Sequence, residues 1–185
     1  MNTSKKIRSM MLAMLALLAF SFTFTSCSKD EDQPDFTNTV NITGTNMNVT
    51  AVTRSTQTAI HDSETTYYLE TFILYTSGEE GVAVYIPQQH LGKTMDLTKK
   101  WGIDGDLPAG IYAAINGKGY AFFCPDENGD FDGNFKEGTM TVTADDSKVT
   151  IYAKGIGLYY ETPESDPVEM PFEISYSGAY TIPVK

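Results

Sequence analysis

The sequence predicts an all-β domain over residues 39–185, an antiparallel meander of about eight to ten strands. Three observations carry this expectation. Apolar and polar residues alternate with period two in segment after segment, turn-forming residues separate the segments, and almost no stretch repeats with helical periodicity. A meander of this kind manages its edges by closing into an up-and-down barrel or by packing two sheets face to face. The barrel is slightly favoured over the sandwich.

Taken in order, strands are expected between Val40 and about Ile60, then in "TTYYLETFILYT" and "GVAVYIP" on either side of the turn "SGEE". Residues 87–110, "PQQHLGKTMDLTKKWGIDGDLPAG", make a connection longer than a hairpin requires, and long ordered loops are often functional. It carries His90 and the single tryptophan, Trp101. In "GIYAAINGKGYAFFC" the pair Asn116-Gly117 suits the positive φ angles of a tight hairpin turn. Cys124 follows the alternation of Tyr120 and Phe122 and reads as a small core residue.

The clearest hairpin is "EGTMTVTADDSKVTIYAKG". Met140, Val142 and Ala144 share one face, Val149, Ile151 and Ala153 answer them after "DDS", and the alternate face is wettable. A further strand is expected around Gly157 to Glu161. "ETPESDPVEMP", acidic and with three prolines, reads as an exposed loop, and "MPFEISYSGAYTIPV" puts Phe172, Ile174 and Tyr176 on one side.

The N-terminus has a different character. Lys5, Lys6 and Arg8 precede the apolar run Met10 to Phe20, the order of a secretory signal and too short for a membrane-spanning helix. "FTSC" places Thr25 and Ser26 directly before Cys27, and "SKDEDQPDF" then brings Asp30, Glu31, Asp32 and Asp35 with little to bury. The expected organisation is a signal peptide over residues 1–26, an acidic tether over 27–38 and one domain over 39–185. The full chain has a formal charge of −11, and loss of residues 1–26 removes three basic residues and no acid, giving −14. So acidic a chain lacks the basic surface needed to neutralise phosphates, and nucleic acid is excluded as a partner.

Thr25, Ser26 and Cys27 resemble the lipobox of bacterial lipoproteins. The resemblance implies cleavage before Cys27 and its acylation, leaving no intramolecular disulfide partner for Cys124. Lys29-Asp30-Glu31 resembles the short acidic signal that directs lipoproteins of Bacteroidetes-type bacteria to the outer face of the outer membrane. The run "GTMTVTADDSKVTIYAKG … PFEISYSGAYTI" is similar to the tail of calycin-like (lipocalin-like) lipoprotein domains, which implies a calycin-like barrel. Lipid on Cys27 would then be the membrane contact, with the domain facing outside the cell.

Candidates for chemistry are few. Asn128-x-Asp130-x-Asp132-Gly133 has the oxygen spacing of the first half of a calcium loop, but position twelve is Thr139 where a bidentate Glu belongs. Ca²⁺ is therefore a weak expectation, an ordinary polar turn explains the same residues, and no other cofactor is expected. The two histidines, His61 and His90, form no zinc motif, and there is no nucleophile elbow. Aromatics offer more: they make up 12% of the chain, with eleven tyrosines. Trp101, Tyr68 and Tyr159 are the candidate ligand contacts, because an exposed amphipathic ring can stack on a sugar or a protein partner. The function expected is a non-catalytic binding or interaction module on a surface lipoprotein. The alternative is a barrel holding a small apolar ligand, and a lesser one is an enzyme such as a glycan-active hydrolase.

Overall fold

The computed structural model describes residues 35–60, 66–77, 80–100, 109–125, 133–162 and 164–183. Eleven strands run through these residues: β1 (Thr39–Ile42), β2 (Thr45–Asn48), β3 (Ala51–Ile60), β4 (Thr66–Tyr75), β5 (Gly81–Pro87), β6 (Thr94–Asp96), β7 (Gly110–Ile115), β8 (Lys118–Phe123), β9 (Phe135–Ala144), β10 (Lys148–Tyr159) and β11 (Val168–Ala179). They form two antiparallel sheets, ordered β2-β1-β11-β10-β9-β6 and β3-β4-β5-β7-β8, which do not close into a barrel. The all-β meander is as expected, while the slight preference for a barrel gives way to the two-sheet arrangement.

The hairpins follow their turn chemistry. Asn116 and Gly117 take φ of 52° and 73° between β7 and β8, the left-handed pair that matches strand twist. Thr43 and Gly44 do the same between β1 and β2, with φ of 51° and 83°. Between β9 and β10 the Asp145 carboxylate accepts hydrogen bonds from the backbone N–H of Ser147 (2.8 Å) and Lys148 (2.7 Å). This local ring fixes the register in which Val149 faces Ala144 and Ile151 faces Val142.

The inner faces of both sheets meet in one apolar cluster. Val40, Ile42, Met140, Val142, Ile151 and Ile174 come from the six-stranded sheet, and Phe72, Leu74, Val84, Ile111 and Phe122 from the five-stranded one, all shielded from water. Burial of side chains of this size stabilises by roughly 1.5–3 kcal/mol each. Cys124 belongs to the cluster as expected.

Three features join the sheets at their margins. Only Val49 and Thr50 separate β2 from β3, and their N–H groups donate to opposite sheets, Val49 to Asn38 O (2.9 Å) and Thr50 to Tyr75 O (2.8 Å). Beyond β8, Asn134 bridges the other margin. Its side-chain N–H₂ donates to Ala121 O (2.7 Å) and Leu158 O (3.1 Å), and its Oδ1 accepts from Phe123 N–H (2.7 Å). Finally, the chain after β11 crosses to β3, where Thr181 N–H donates to Val52 O and Arg54 N–H donates to Thr181 O, both at 2.9 Å.

That crossing is locked by a buried polar group. Arg54 Nε donates to Glu70 Oε2 at 2.8 Å and its Nη1 donates to Tyr180 Oη at 2.9 Å, while the guanidinium lies over the rings of Phe72 and Tyr180. Glu70 is wholly buried and also accepts from Thr56 Oγ1. The hydrogen bond to Glu70 holds the Arg54 guanidinium protonated more firmly than usual, against the opposing effect of burial.

Three segments depart from the sequence reading. "ETPESDPVEMP" is not an exposed loop throughout, because Val168–Pro171 pair with β10 as the start of β11 and Met170 is buried. β10 continues unbroken from Lys148 to Tyr159, so no separate strand begins at Gly157. Residues 87–110 are more than a loop: after a 3₁₀ turn at Gln88–His90 they contribute β6, which pairs with β9 in the opposite sheet.

Candidate functional site

The alternation that buries Ile42, Phe172, Ala153, Met140 and Met95 turns the residues between them to the outer face of the six-stranded sheet. Cross-strand register aligns them. Asn46, Asn41, Glu173, Lys154, Thr139 and Asp96 stand opposite one another in a single row across all six strands. The adjacent row reads Asn48, Thr39, Ser175, Tyr152, Thr141 and Thr94. Hydroxyls meet across strands on this face: Thr94 Oγ1 lies 2.9 Å from Thr141 Oγ1, and Thr150 Oγ1 lies 3.1 Å from Ser177 Oγ.

A bulge deepens one end. Ile156 faces Glu137 but Gly157 faces Phe135, so Lys136 is the extra residue, and both Lys136 and Glu137 are exposed. Both also line a groove of about 640 Å³, together with Asp96, Thr98, Thr139 and Tyr152. A second groove of about 320 Å³ is lined by Asn41, Pro171 and Glu173. Glu137, Lys154 and Gly155 border both, so the two lie in line along the first row with Lys154 between them. Where the grooves meet, Gly155 faces Gly138 across the strands, and a Cβ on Gly155 would fall 2.3 Å from the Glu137 carbonyl oxygen. The strands can approach this closely only without a side chain there.

The charges on this face are largely paired. Lys154 Nζ sits 3.5 Å from Glu173 Oε2, and Lys136 is hydrogen-bonded to Glu169, which raises the ammonium pKa. Asp96 is held below the usual carboxylate range, first by the Thr98 hydroxyl (2.7 Å) and then by the Thr98 N–H (3.0 Å). The Asp96 carboxylate is therefore suited to accept hydrogen bonds. A general acid for glycoside hydrolysis needs the opposite, a carboxyl whose pKa is raised. Cys124 is equally unsuited to nucleophilic chemistry, since burial, and then the charge of Asp96, push its thiol up to about 12.

The structure places the expected contact residues apart. Tyr68 is exposed near the start of β4. Tyr159 ends β10 half-buried and packs edge-on against Tyr120, whose row runs through Ala113 and Val82 to Leu74. The rows of Tyr68 and Leu74 are six residues apart on β4, about 20 Å. The exposed member of the second tyrosine pair is Tyr160. Cys27, Trp101, Asn128, Asp130 and Asp132 lie outside the described residues. Among the described residues no cluster of His, Cys, Asp or Glu has the makings of a metal site, and no helix is long and apolar enough to cross a membrane.

Sequence reasoning missed Tyr152 and its row. The wettable face of β9 and β10 was visible as alternation, but the partners contributed by β1, β2, β6 and β11 depend on register. Compared with protein-family models, curated proteins and solved structures, the chain matches none.

Proposed function

We propose that this chain is an outer-membrane lipoprotein, anchored through lipid on Cys27 and facing outside the cell. Its two-sheet domain acts as a non-catalytic binding module through the outer face of the six-stranded sheet. The observation that carries this reading is the pair of confluent grooves on a six-strand polar row, set above a core already occupied by side chains. A ligand is better served by that face than by the interior, where the inner residues of both sheets pack on one another. The Asp96 carboxyl, held below the usual range by Thr98, and the Lys154–Glu173 ion pair favour binding over hydrolysis. An anionic domain can stay on a membrane without basic residues when two or more acyl chains hold it, at about 0.8 kcal/mol per buried CH₂.

Mass spectrometry of the mature N-terminus tests the anchor: acylated Cys27 is expected, and soluble protein beginning elsewhere refutes it. Protease added to intact cells should degrade the domain, and protection would place it on the periplasmic side. A photo-crosslinking residue at position 139, on the grooved face, should capture a ligand from intact cells far more efficiently than one at exposed position 112 on the other sheet.

A further inference from the structure

We infer that the grooved face binds an uncharged polysaccharide chain laid across the strands, with Tyr152 as its stacking platform. This rests on the reading of that face as the binding surface and names the class of its ligand. The first support is geometric. Neighbouring strands stand about 4.8 Å apart, close to the advance of one pyranose unit, so a glycan crossing the sheet meets a new side chain of the same row at each sugar. The row Asn41, Glu173, Lys154, Thr139 and Asp96 supplies one polar group per strand along the line of the two grooves.

The second support is chemical. Vicinal sugar hydroxyls both donate and accept, and they are matched by donors and acceptors set side by side. Lys154 and Glu173, 3.5 Å apart, form such a pair, Asn41 offers its amide N–H₂ while its Oδ1 accepts from Gly44 N–H, and Asp96 is kept ionised as an acceptor by Thr98. Tyr152 lines the larger groove one row away, between Thr141 and Ser175. It is the aromatic ring of that groove, and an amphipathic ring of this kind can receive the C–H face of a pyranose.

The third support comes from what the face lacks. A protein-binding surface concentrates aromatic, Met and Arg anchors in a centre depleted of charge, whereas Lys154, Glu173 and Glu137 occupy the centre here. An apolar small molecule needs an enclosed pocket, whereas these grooves are open and bordered by Lys136, Glu137, Lys154 and Glu173. A polyanion meets Asp96, Glu137 and Glu173 against Lys136 and Lys154, on a chain that is strongly acidic overall. An uncharged chain rich in hydroxyls fits both the balance of charges and the shape.

Affinity electrophoresis tests this. The protein is run through gels containing soluble α-glucan, β-glucan, xylan, mannan or galactan, with heparin as the anionic control. Retardation by at least one neutral polymer and none by heparin is expected. Tyr152→Ala should weaken it by about tenfold, as loss of an aromatic contact does. Thr139→Arg, at an exposed position where folding is not at stake, should block the groove and weaken it equally, while Tyr112→Ala on the other sheet leaves it unchanged. Retardation by heparin alone, or by no polymer in the panel, overturns the polysaccharide. Retardation by a neutral polymer that both Tyr152→Ala and Thr139→Arg leave intact overturns the placement on this face. A protein captured by the crosslinker at position 139, without retardation in any gel, keeps the face as a binding surface and overturns only its ligand class.

Discussion

Gly157→Ala is expected to destabilise the domain, because the missing side chain is what lets Phe122 fill the corner between the sheets. A Cβ at residue 157 would lie 2.3 Å from Phe122 Cδ1 and 2.7 Å from Cγ, both well inside contact distance. Phe122 cannot swing away cheaply. It is wholly buried, stacked on Phe172 at 6.4 Å and 14° between planes, and packed against Phe135 at 6.0 Å. Overpacking of this kind costs about 1–3 kcal/mol, and with both ring faces constrained the upper half, about 2–3 kcal/mol, is expected. For a domain of this size that lowers Tm by about 4–12 °C. Phe122→Leu alone should cost about 1–2 kcal/mol through the space it leaves. Combined with Gly157→Ala, the methyl enters that space, so the double variant should be more stable than the sum of the single effects by about 1–2 kcal/mol. Urea unfolding with linear extrapolation measures each corner of the cycle. Additive effects, or a Gly157→Ala cost below about 0.5 kcal/mol, would refute the claim that the ring occupies the glycine's place.

Three other outcomes follow from buried or locally bonded groups. Arg54→Ala leaves the wholly buried Glu70 carboxylate without its cation and should cost about 3–5 kcal/mol, whereas Arg54→Met with Glu70→Leu should recover most of it; a thermal melt showing Arg54→Ala within about 1 kcal/mol of wild type contradicts this. In a Cys27→Ser background, Cys124 should resist thiol reagents at pH 8 until the protein is unfolded, because burial pushes its thiol up to about 12. The folded thiol stays neutral while the unfolded one ionises above its ordinary value near 9, so this group leaves stability unchanged below pH 9 and reduces it by about 1.4 kcal/mol per pH unit from 9 towards 12; Cys124→Ala should flatten that slope. Asp145 is depressed by the N–H groups of Ser147 and Lys148, so its stabilisation is present above its ordinary pKa near 3.8 and lost as pH falls through the lower folded value. Asp145→Asn should remove that part of the acid dependence, measurable as urea midpoints between pH 5 and 2, and an unchanged profile argues against the turn's role.

The parts of the fold legible in sequence are those set by neighbours along the chain. Asn116-Gly117 announced a hairpin because few other pairs accept positive φ twice in succession, and both residues adopt it. Met140, Val142, Val149 and Ile151 announced a buried face by alternation alone, and all four are shielded from water. Gly155, by contrast, reads as the end of one strand and Gly157 as the start of another, since glycine weakens strands. The compensation comes from residues distant in sequence: Phe172 lies over Gly155 and Phe122 over Gly157, so aromatic rings replace the missing side chains. The site was less legible for the same reason. That Tyr152 is outward-facing follows from period two, but that Asn41 and Asp96 share a row with Lys154 depends on the register of five strands, β1, β11, β10, β9 and β6, some of them distant in sequence.

The step from a barrel to two sheets also explains why the grooved face has its shape. Going round the meander, hydrogen-bonded neighbours run from β11 through β1 to β2, the chain turns through Val49 and Thr50 into the other sheet, and pairing resumes from β3 through β4, β5 and β7 to β8. Closure would require β2 to pair with β3 and β8 to pair with β9. Instead, the short β6 occupies the outer edge of β9, and the margin of β8 is bridged by Asn134, whose side chain and backbone both bond β8 and Leu158 of β10. A pairing strand would have continued the curvature of a barrel and left its outer surface convex. With β9 released from β8, the bulge at Lys136 twists its first residues, and Asp96 from β6 becomes the far wall of the larger groove. The margin beyond β8, one of the two at which the sheets stay unpaired, is thus also where the larger groove is built. Asn134→Ala should accordingly disturb affinity for a groove ligand as well as stability, although the residue touches neither groove.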